Sequence, residues 1–179
     1  MSRFFPHTAY AEDQPYAQML LTYHVLHRGL QSGAVVGLGI SVVRSLIRHT
    51  PLATAALRSS GYGAIIGTAL MVPGLASQMA GKTEIEWKDR SWRLLENEGQ
   101  KEVDDWSNAG FVAGALATVR SDAFRQLRQG RWVKLVGGAA MGSLLGVTGY
   151  MAWRYGVHGG RRAQEEHPDR SVISQTAMI

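Results

Sequence analysis

Four stretches of small and apolar residues, separated by polar segments, dominate the pattern of this chain. A helix needs roughly 20 apolar residues to cross a bilayer core of about 30 Å, and residues 135–153 provide 19 without a charge. The first stretch carries His24, His27 and Arg28 in its N-terminal part, and the third stretch is short. The pattern predicts an all-α integral membrane protein with about four Gly-rich transmembrane helices, at about 18–43, 61–80, 106–124 and 132–154.

Glycines recur at every fourth position within these stretches. Seven pairs of glycines lie four residues apart, where roughly two or three would arise by chance, and small residues at this spacing let membrane helices approach closely. We therefore predict that each helix packs against another along its small-residue face. The predicted packing residues are Gly29, Gly33, Gly37, Ser41, Gly63, Gly67, Gly110, Gly114, Gly138, Gly142 and Gly146.

Polar residues concentrate at the two ends and in the block 82–105. The chain accordingly divides into a polar N-terminal arm (1–17), a single membrane domain (18–155) and an extended C-terminal arm (156–179). The block 82–105 is expected to be helical in part, with a break at Gly99, and to lie along the membrane interface or against a partner. A solvated charged linker is the equally weighted alternative.

The net charge of +5 is unevenly distributed along the chain. The connections after the first and third spans are basic, whereas the block 82–105 has five basic and eight acidic residues. The positive-inside rule places the two connections in the cytosol or matrix, with both termini on the other side. The arginines expected to contact lipid headgroups are Arg28, Arg44, Arg48, Arg120, Arg125, Arg128 and Arg131.

One segment, 76–83, matches a relaxed phosphate-binding loop through Gly81, Lys82 and Thr83. A phosphate-binding loop follows a short buried strand, whereas a long Gly-rich stretch with Pro73 precedes this one. We therefore do not expect nucleotide binding, although a soluble helical nucleotide-binding protein is one of the functional hypotheses. The chain has no cysteine, which excludes disulfides, thiolate metal sites and a cysteine nucleophile.

His24 and His27 share a helical face and are the remaining candidates for chemistry. A proton or quinone role is conceivable because ionisable groups at membrane depth are often functional. The favoured interpretation is a headgroup-level cluster that binds lipid phosphate or a neighbouring carboxylate. No catalytic, cofactor-binding or metal-ligating residue is expected.

The segment YHVLHRGLQSGAVVGLGISVVRS, at 23–45, and the later glycine ladders resemble a known group of proteins. Four Gly-rich spans with termini on one side and basic connections on the other are similar to the mitochondrial inner-membrane translocase family. Within its relatives, the chain resembles the fungal accessory subunits of the respiratory complex I membrane arm, of the NUXM type, over about residues 16–162. The resemblance implies a multi-pass protein of the mitochondrial inner membrane, with its termini in the intermembrane space, no cleaved presequence and no catalytic role.

Two membrane functions follow from these expectations. The first is a structural accessory subunit of the membrane arm of NADH:ubiquinone oxidoreductase (complex I) that supports assembly or stability. The alternative is a component of an inner-membrane protein translocase. The expected partners are membrane lipids and other subunits of a large complex, with neither nucleic acid nor a small-molecule substrate. A structural phospholipid such as cardiolipin is the candidate to fill gaps beside the arginines.

Overall fold

The computed structural model describes residues 5–49, 51–121, 124 and 130–159. The described residues contain no strand, so the all-α prediction is confirmed for them. A 3-10 helix at Ala11–Asp13 precedes the first α-helix, and a π-helix at Ala152–Val157 continues the last one. The α-helices are α1 (Ala17–Arg48), α2 (Leu52–Met79), α3 (Glu84–Glu96), α4 (Glu98–Arg120) and α5 (Arg131–Met151).

The helix ends differ from the predicted spans at several places. α2 begins at Leu52 rather than near 61, because Pro51 precedes a run of good helix formers, Ala and Leu. α4 ends at Arg120 rather than 124, since Ser121 is extended and its N–H turns back to the carbonyl of Thr118. The helical conformation after α5 continues to Val157, beyond the expected start of the C-terminal arm at 156. The remainder of that arm, from 160, lies outside the described residues.

The polar block 82–105 forms α3 and the first part of α4. Thr83 caps α3, and its backbone N–H donates to the Glu86 carboxylate at 2.8 Å in a capping box. Asn97 separates the two helices and caps α4 by accepting from the backbone N–H of Gln100 at 3.1 Å. The break predicted at Gly99 therefore falls at Asn97, because an asparagine satisfies the free N–H groups of a helix start.

α1 and α2 form one antiparallel pair whose backbones touch through glycine. Gly33 faces Gly63 and Gly67 so closely that a Cβ atom on Gly33 would lie 3.0 Å from Cα of Gly67 and nearer still to the Gly63 carbonyl. Real Cβ atoms do not make such contacts with backbone. Only glycine permits this close approach of the two backbones.

α4 and α5 form a second antiparallel pair built in the same way. Gly142 faces Gly110 and Gly114, and Gly138 faces Gly114 and the side chain of Thr118. The pairs join where α2 meets α5, with Gly137 against the backbone of Leu57.

The centre of this four-helix assembly is lined by small side chains. Ala34 of α1, Ala64 of α2 and Ala140 of α5 form its buried apolar cluster. Alanine at the centre has the same effect as glycine on the packing faces, because a larger side chain there would separate the helices.

The assembly has two chemically different ends. The end that we call the terminal end carries residues 5–16, α3, Asn97 and the π-helix, and the other, the basic end, carries the C-terminal ends of α1 and α4 and the N-terminal ends of α2 and α5. The acidic block thus lies at one end, and the arginines Arg44, Arg48, Arg120 and Arg131 lie at the other.

The described part of the N-terminal arm is folded against α3 rather than extended. The indole Nε1 of Trp92 donates to the carbonyl of Thr8 at 2.9 Å. Gln14 is fully buried and donates to the carbonyl of Pro6 at 2.9 Å. The polar residues of this arm therefore fold its own backbone and fasten it to α3.

Among the residues that the structure describes, two helical segments are long and apolar enough to cross a membrane, namely α1 and the segment Arg131–Val157. A long core helix of a soluble protein can have the same length and composition. The distinction between the two therefore depends on which helix faces are exposed.

We predict that Gly142→Ala lowers the thermal stability of the purified protein, by about 1–3 kcal/mol in the free energy of unfolding, because the added methyl overpacks the interface of α4 and α5. The matched control is Gly39→Ala. Nothing lies within 4 Å of a Cβ atom at Gly39, so this variant should unfold at the wild-type temperature or above it. Equal effects of the two substitutions would show that close backbone contact is not what glycine provides at position 142.

Candidate functional site

A buried network of polar side chains joins α1, α4 and α5 towards the terminal end of the assembly. We call it the polar cluster. Its side chains lie where α1 faces α4 and α5, and side chains rather than backbones make the contact between α1 and α4. The members are Tyr23, His24, His27, Arg28 and Gln31 of α1, Gln100, Asp104, Ser107 and Asn108 of α4, and Ser143 of α5.

An ion pair between Arg28 and Asp104 lies at the centre of the polar cluster. The Nη2 atom of Arg28 donates to Oδ1 of Asp104 at 2.6 Å, and the amide of Gln100 donates to the same oxygen at 2.9 Å. The Nδ1 atom of His24 lies 3.6 Å from the other carboxylate oxygen. The side chain of Asp104 is only 10% exposed, so this carboxylate depends on its protein partners for the hydrogen bonds that water would otherwise supply.

His27 is the second centre of the cluster; it adjoins Arg28 on α1, and its partner Ser107 lies one turn beyond Asp104 on α4. Its Nε2 atom lies 3.3 Å from the hydroxyls of Ser107 and Ser143 and 3.3 Å from the amide nitrogen of Gln31. The Ser107 hydroxyl in turn donates to the backbone carbonyl of Asp104 at 3.1 Å. Gln31 also donates to Ser143 at 2.8 Å, so the histidine, the amide and the serines form one unit across three helices.

Tyr23 extends the same network along α4. Its hydroxyl donates to Oδ1 of Asn108 at 2.5 Å, and the Asn108 amide donates to the backbone carbonyl of Asp104 at 2.6 Å. The polar groups of the cluster therefore form hydrogen bonds with one another. Such an arrangement fixes the register of three helices, since a shift of one helix would leave buried polar groups unpaired.

A smaller polar group ties the π-helix to α4. Glu102 accepts a hydrogen bond from the Tyr150 hydroxyl at 2.6 Å and pairs with Arg154. Trp106 packs beside the rings of Tyr150 and Trp153. This group closes the terminal end of the second helix pair, as the polar cluster closes the side between α1 and α4.

The structure places the predicted packing residues at helix contacts. Gly29, Gly33 and Gly37 of α1 face α2, and the hydroxyl of Ser41 is buried and donates to the carbonyl of Leu38 at 2.7 Å. On the second pair, Gly146 lies against the backbone of Trp106.

The arginines predicted to contact headgroups fall into three groups. Arg28 is engaged by Asp104 and Gln31, so the neighbouring carboxylate, rather than a lipid phosphate, is its partner. Arg125 and Arg128 lie outside the described residues. The others are exposed at the basic end: Arg44, Arg48, Arg120 and Arg131.

The segment 76–83 does not form a phosphate-binding loop. A helix, α2, precedes it rather than a strand, and Gly81 lies in a turn at φ +72, a conformation that glycine adopts readily. Lys82 pairs with Glu86 at 2.8 Å. The hydrogen bond from Lys82 and the backbone N–H of Thr83 lower the pKa of Glu86 to about 2, so the partner of Lys82 stays ionised at physiological pH.

Sequence reasoning missed the partners of the two histidines. The sequence alone places Asp104 in the polar block 82–105 and does not single out Ser107 or Ser143 as partners. Their positions carried a signal, because Ser143 adjoins Gly142 and Ser107 lies one turn before Gly110. Polar residues on a predicted packing face are candidates for contacts between helices.

Comparison of the chain with protein-family models, with characterised proteins and with solved structures gives no match. The resemblance drawn from the sequence therefore stays a prediction. In the described residues, no group of three His, Asp or Glu side chains is placed to hold a metal ion.

We predict that Asp104→Asn destabilises the protein by about 3 kcal/mol, because it leaves the Arg28 guanidinium without its carboxylate in a largely buried site. Chemical denaturation of the purified protein in detergent measures this. The control is Asp89→Asn, which removes the carboxylate of an exposed pair with Arg93 and should cost at most about 0.5 kcal/mol. If Asp104→Asn unfolds at the same denaturant concentration as the wild type, the polar cluster does not contribute to the stability of the protein.

Proposed function

We propose that this chain is a membrane-embedded, non-catalytic structural subunit of a large membrane complex. Following the resemblance described above, we propose that the complex is mitochondrial respiratory complex I and that the chain belongs to its membrane arm. The observation that carries the proposal is a band of exposed apolar side chains that surrounds the four long helices. Its members include Val36, Ile40, Leu46 and Ile47 of α1, Ile66 and Leu70 of α2, Val112 and Leu116 of α4, and Leu145 of α5.

The burial of α1 supports lipid rather than water as its surroundings. Only 22% of its most apolar 18-residue window is buried inside the protein, and the value for the last helical segment is 39%. A core helix of a soluble protein buries most of such a window. An exposed apolar surface that extends over four helices is typical of contact with lipid or with partner subunits.

The positions of charged residues agree with a membrane band of modest height. Residues 59–81 and 135–153 carry no charge, and the shorter uncharged stretches 29–43 and 106–119 end at charged residues. A helix of 14 residues rises about 21 Å, less than the roughly 30 Å core. Arg44 and Arg120 at the basic end, which are exposed, would therefore extend their side chains towards the headgroups.

A structural role is supported by the use of the polar groups. The ionisable groups of the polar cluster bond to one another rather than converging on an open cleft. The folded N-terminal arm and α3 give the terminal end a polar surface outside the membrane band, which suits contact with soluble parts of a complex.

Migration on native gels tests the proposal most directly. Mitochondrial membranes are solubilised in a mild detergent, and the chain is located by immunoblotting beside an NADH dehydrogenase activity stain. We expect it at the mass of complex I and expect alkaline carbonate to leave it in the membrane. Migration only as a small free species would contradict the proposal. Crosslinking to a precursor during import, with no comigration with complex I, would instead favour a translocase component.

We predict that Leu145→Arg prevents stable membrane integration or lowers stability by about 2.5–3.5 kcal/mol, because it places a charge near the middle of the last span. Leu145 is 71% exposed, so in a soluble protein the same change would cost within about 0.5 kcal/mol. The control is Ile85→Arg, at an exposed position of α3 outside the spans. Carbonate extraction of the two variants measures the difference, and equal retention would contradict lipid contact at Leu145.

A further inference from the structure

An apolar groove of about 340 Å³ runs along the outer side of the α1 and α2 pair. Its floor is formed by glycines of the two packing faces, and its walls are the exposed side chains on either side of them. The walls consist of Val36 and Ile40 on α1 and Tyr62, Ile66 and Leu70 on α2. The floor is closed, since the two backbones are in contact there.

On α2 the groove occupies the half of the uncharged stretch 59–81 that is nearer the basic end. It extends along α2 from Leu70 to Ser59, a rise of about 16 Å at about 1.5 Å per residue. This length corresponds to one leaflet of a bilayer, because half of the hydrocarbon core is about 15 Å thick.

Both walls of the groove end in an arginine at the basic end. Arg58 precedes Ser59, and its guanidinium lies 5.8 Å from the centre of the Tyr62 ring, which is part of the wall. Arg44 lies one helical turn beyond Ile40 on the same face of α1, and a helical side chain leans back towards the preceding turn. Both arginines are exposed, and no acidic residue occurs between Ala34 and Lys82.

We propose that this groove binds an anionic phospholipid of the surrounding bilayer, with one acyl chain between α1 and α2 and the phosphate between Arg44 and Arg58. The inference rests on the proposed membrane location and adds a specific ligand to it. The apolar walls end at two positive charges that have no carboxylate partner among the described residues. An apolar channel that ends in positive charge matches a phospholipid from its chain end to its headgroup.

The shape of the groove favours an acyl chain over a helix of a partner subunit. A helix with its side chains is about 10 Å wide, whereas the walls on α1 and α2 rise from two helices whose backbones already touch. A narrow cleft of this kind accommodates a single file of methylene groups. A partner helix would rest on the rims and leave the glycine floor unfilled.

Native mass spectrometry of the purified chain tests the proposal. The protein is titrated in detergent with dioleoyl phosphatidylglycerol and, separately, with dioleoyl phosphatidylcholine. We expect one tightly bound phosphatidylglycerol and weaker binding of phosphatidylcholine. The double variant Arg44→Gln/Arg58→Gln should lose about thirtyfold in affinity for phosphatidylglycerol, which corresponds to about 2 kcal/mol for two arginines.

The matched control is Arg120→Gln/Arg131→Gln, which removes the same charge from the same end on the other helix pair and should bind as the wild type does. A second pair of variants tests the groove itself. Val36→Trp fills it and should reduce binding at least tenfold, whereas Val35→Trp, at an exposed position outside the groove lining, should not.

The proposal is overturned if both arginine double variants lose affinity equally, because the charge would then act from no particular site. It is also overturned if Val36→Trp binds phosphatidylglycerol as the wild type does. If that variant binds lipid normally but no longer assembles into the complex, the groove holds a helix of a partner subunit instead. A wild-type chain that comigrates with the complex but binds no lipid refutes this inference alone. A chain that is soluble without detergent refutes both it and the proposed function.

Discussion

The contact of helix backbones through glycine is the constraint on which this structure depends. In the lipid surroundings that we propose for this chain, apolar side chains gain little by leaving one apolar medium for another, so helices adhere through close van der Waals packing and polar contacts. Gly33 against Gly63 and Gly142 against Gly110 provide that packing without side chains. The large apolar residues are consequently displaced to the outer faces, where Val36 and Leu145 are exposed. Small residues inside and large residues outside are two aspects of one arrangement.

The side of the assembly between α1 and α4 follows the opposite rule. No pair of glycines closes it, and long polar side chains span the distance. Arg28 reaches Asp104, and His27 reaches Ser107. Glycine contacts are alike along a helix and specify its register weakly, whereas hydrogen bonds between particular side chains specify it well. The tight interfaces thus provide cohesion, and the polar cluster provides the choice of one alignment.

The helical class and the packing faces could be predicted from the sequence, because both depend on the spacing of apolar and small residues along the chain. The ends of the helices were harder to predict. The early start of α2 at Leu52 depends on residues that are not apolar enough to mark a span, and Asn97 rather than Gly99 separates α3 from α4 because capping outweighs the low helix propensity of glycine. The partner of Arg28 could not be predicted, because Asp104 is 76 positions away and only the folded assembly brings the two together.

Under the membrane location that we propose, the distribution of the polar cluster over the chain has a consequence for biogenesis. α1 can pair with α2 as soon as both have been delivered to the bilayer, but the carboxylate for Arg28 belongs to α4 and the Ser143 hydroxyl to α5. Until those helices arrive, the basic and amide side chains of α1 lack their hydrogen-bonding partners, and exposing them to hydrocarbon costs free energy. The first hairpin should therefore sit shallowly, with this turn of α1 held in the headgroup zone, and sink to its final depth only when the second hairpin docks. Insertion and completion of the fold would then be a single concluding step.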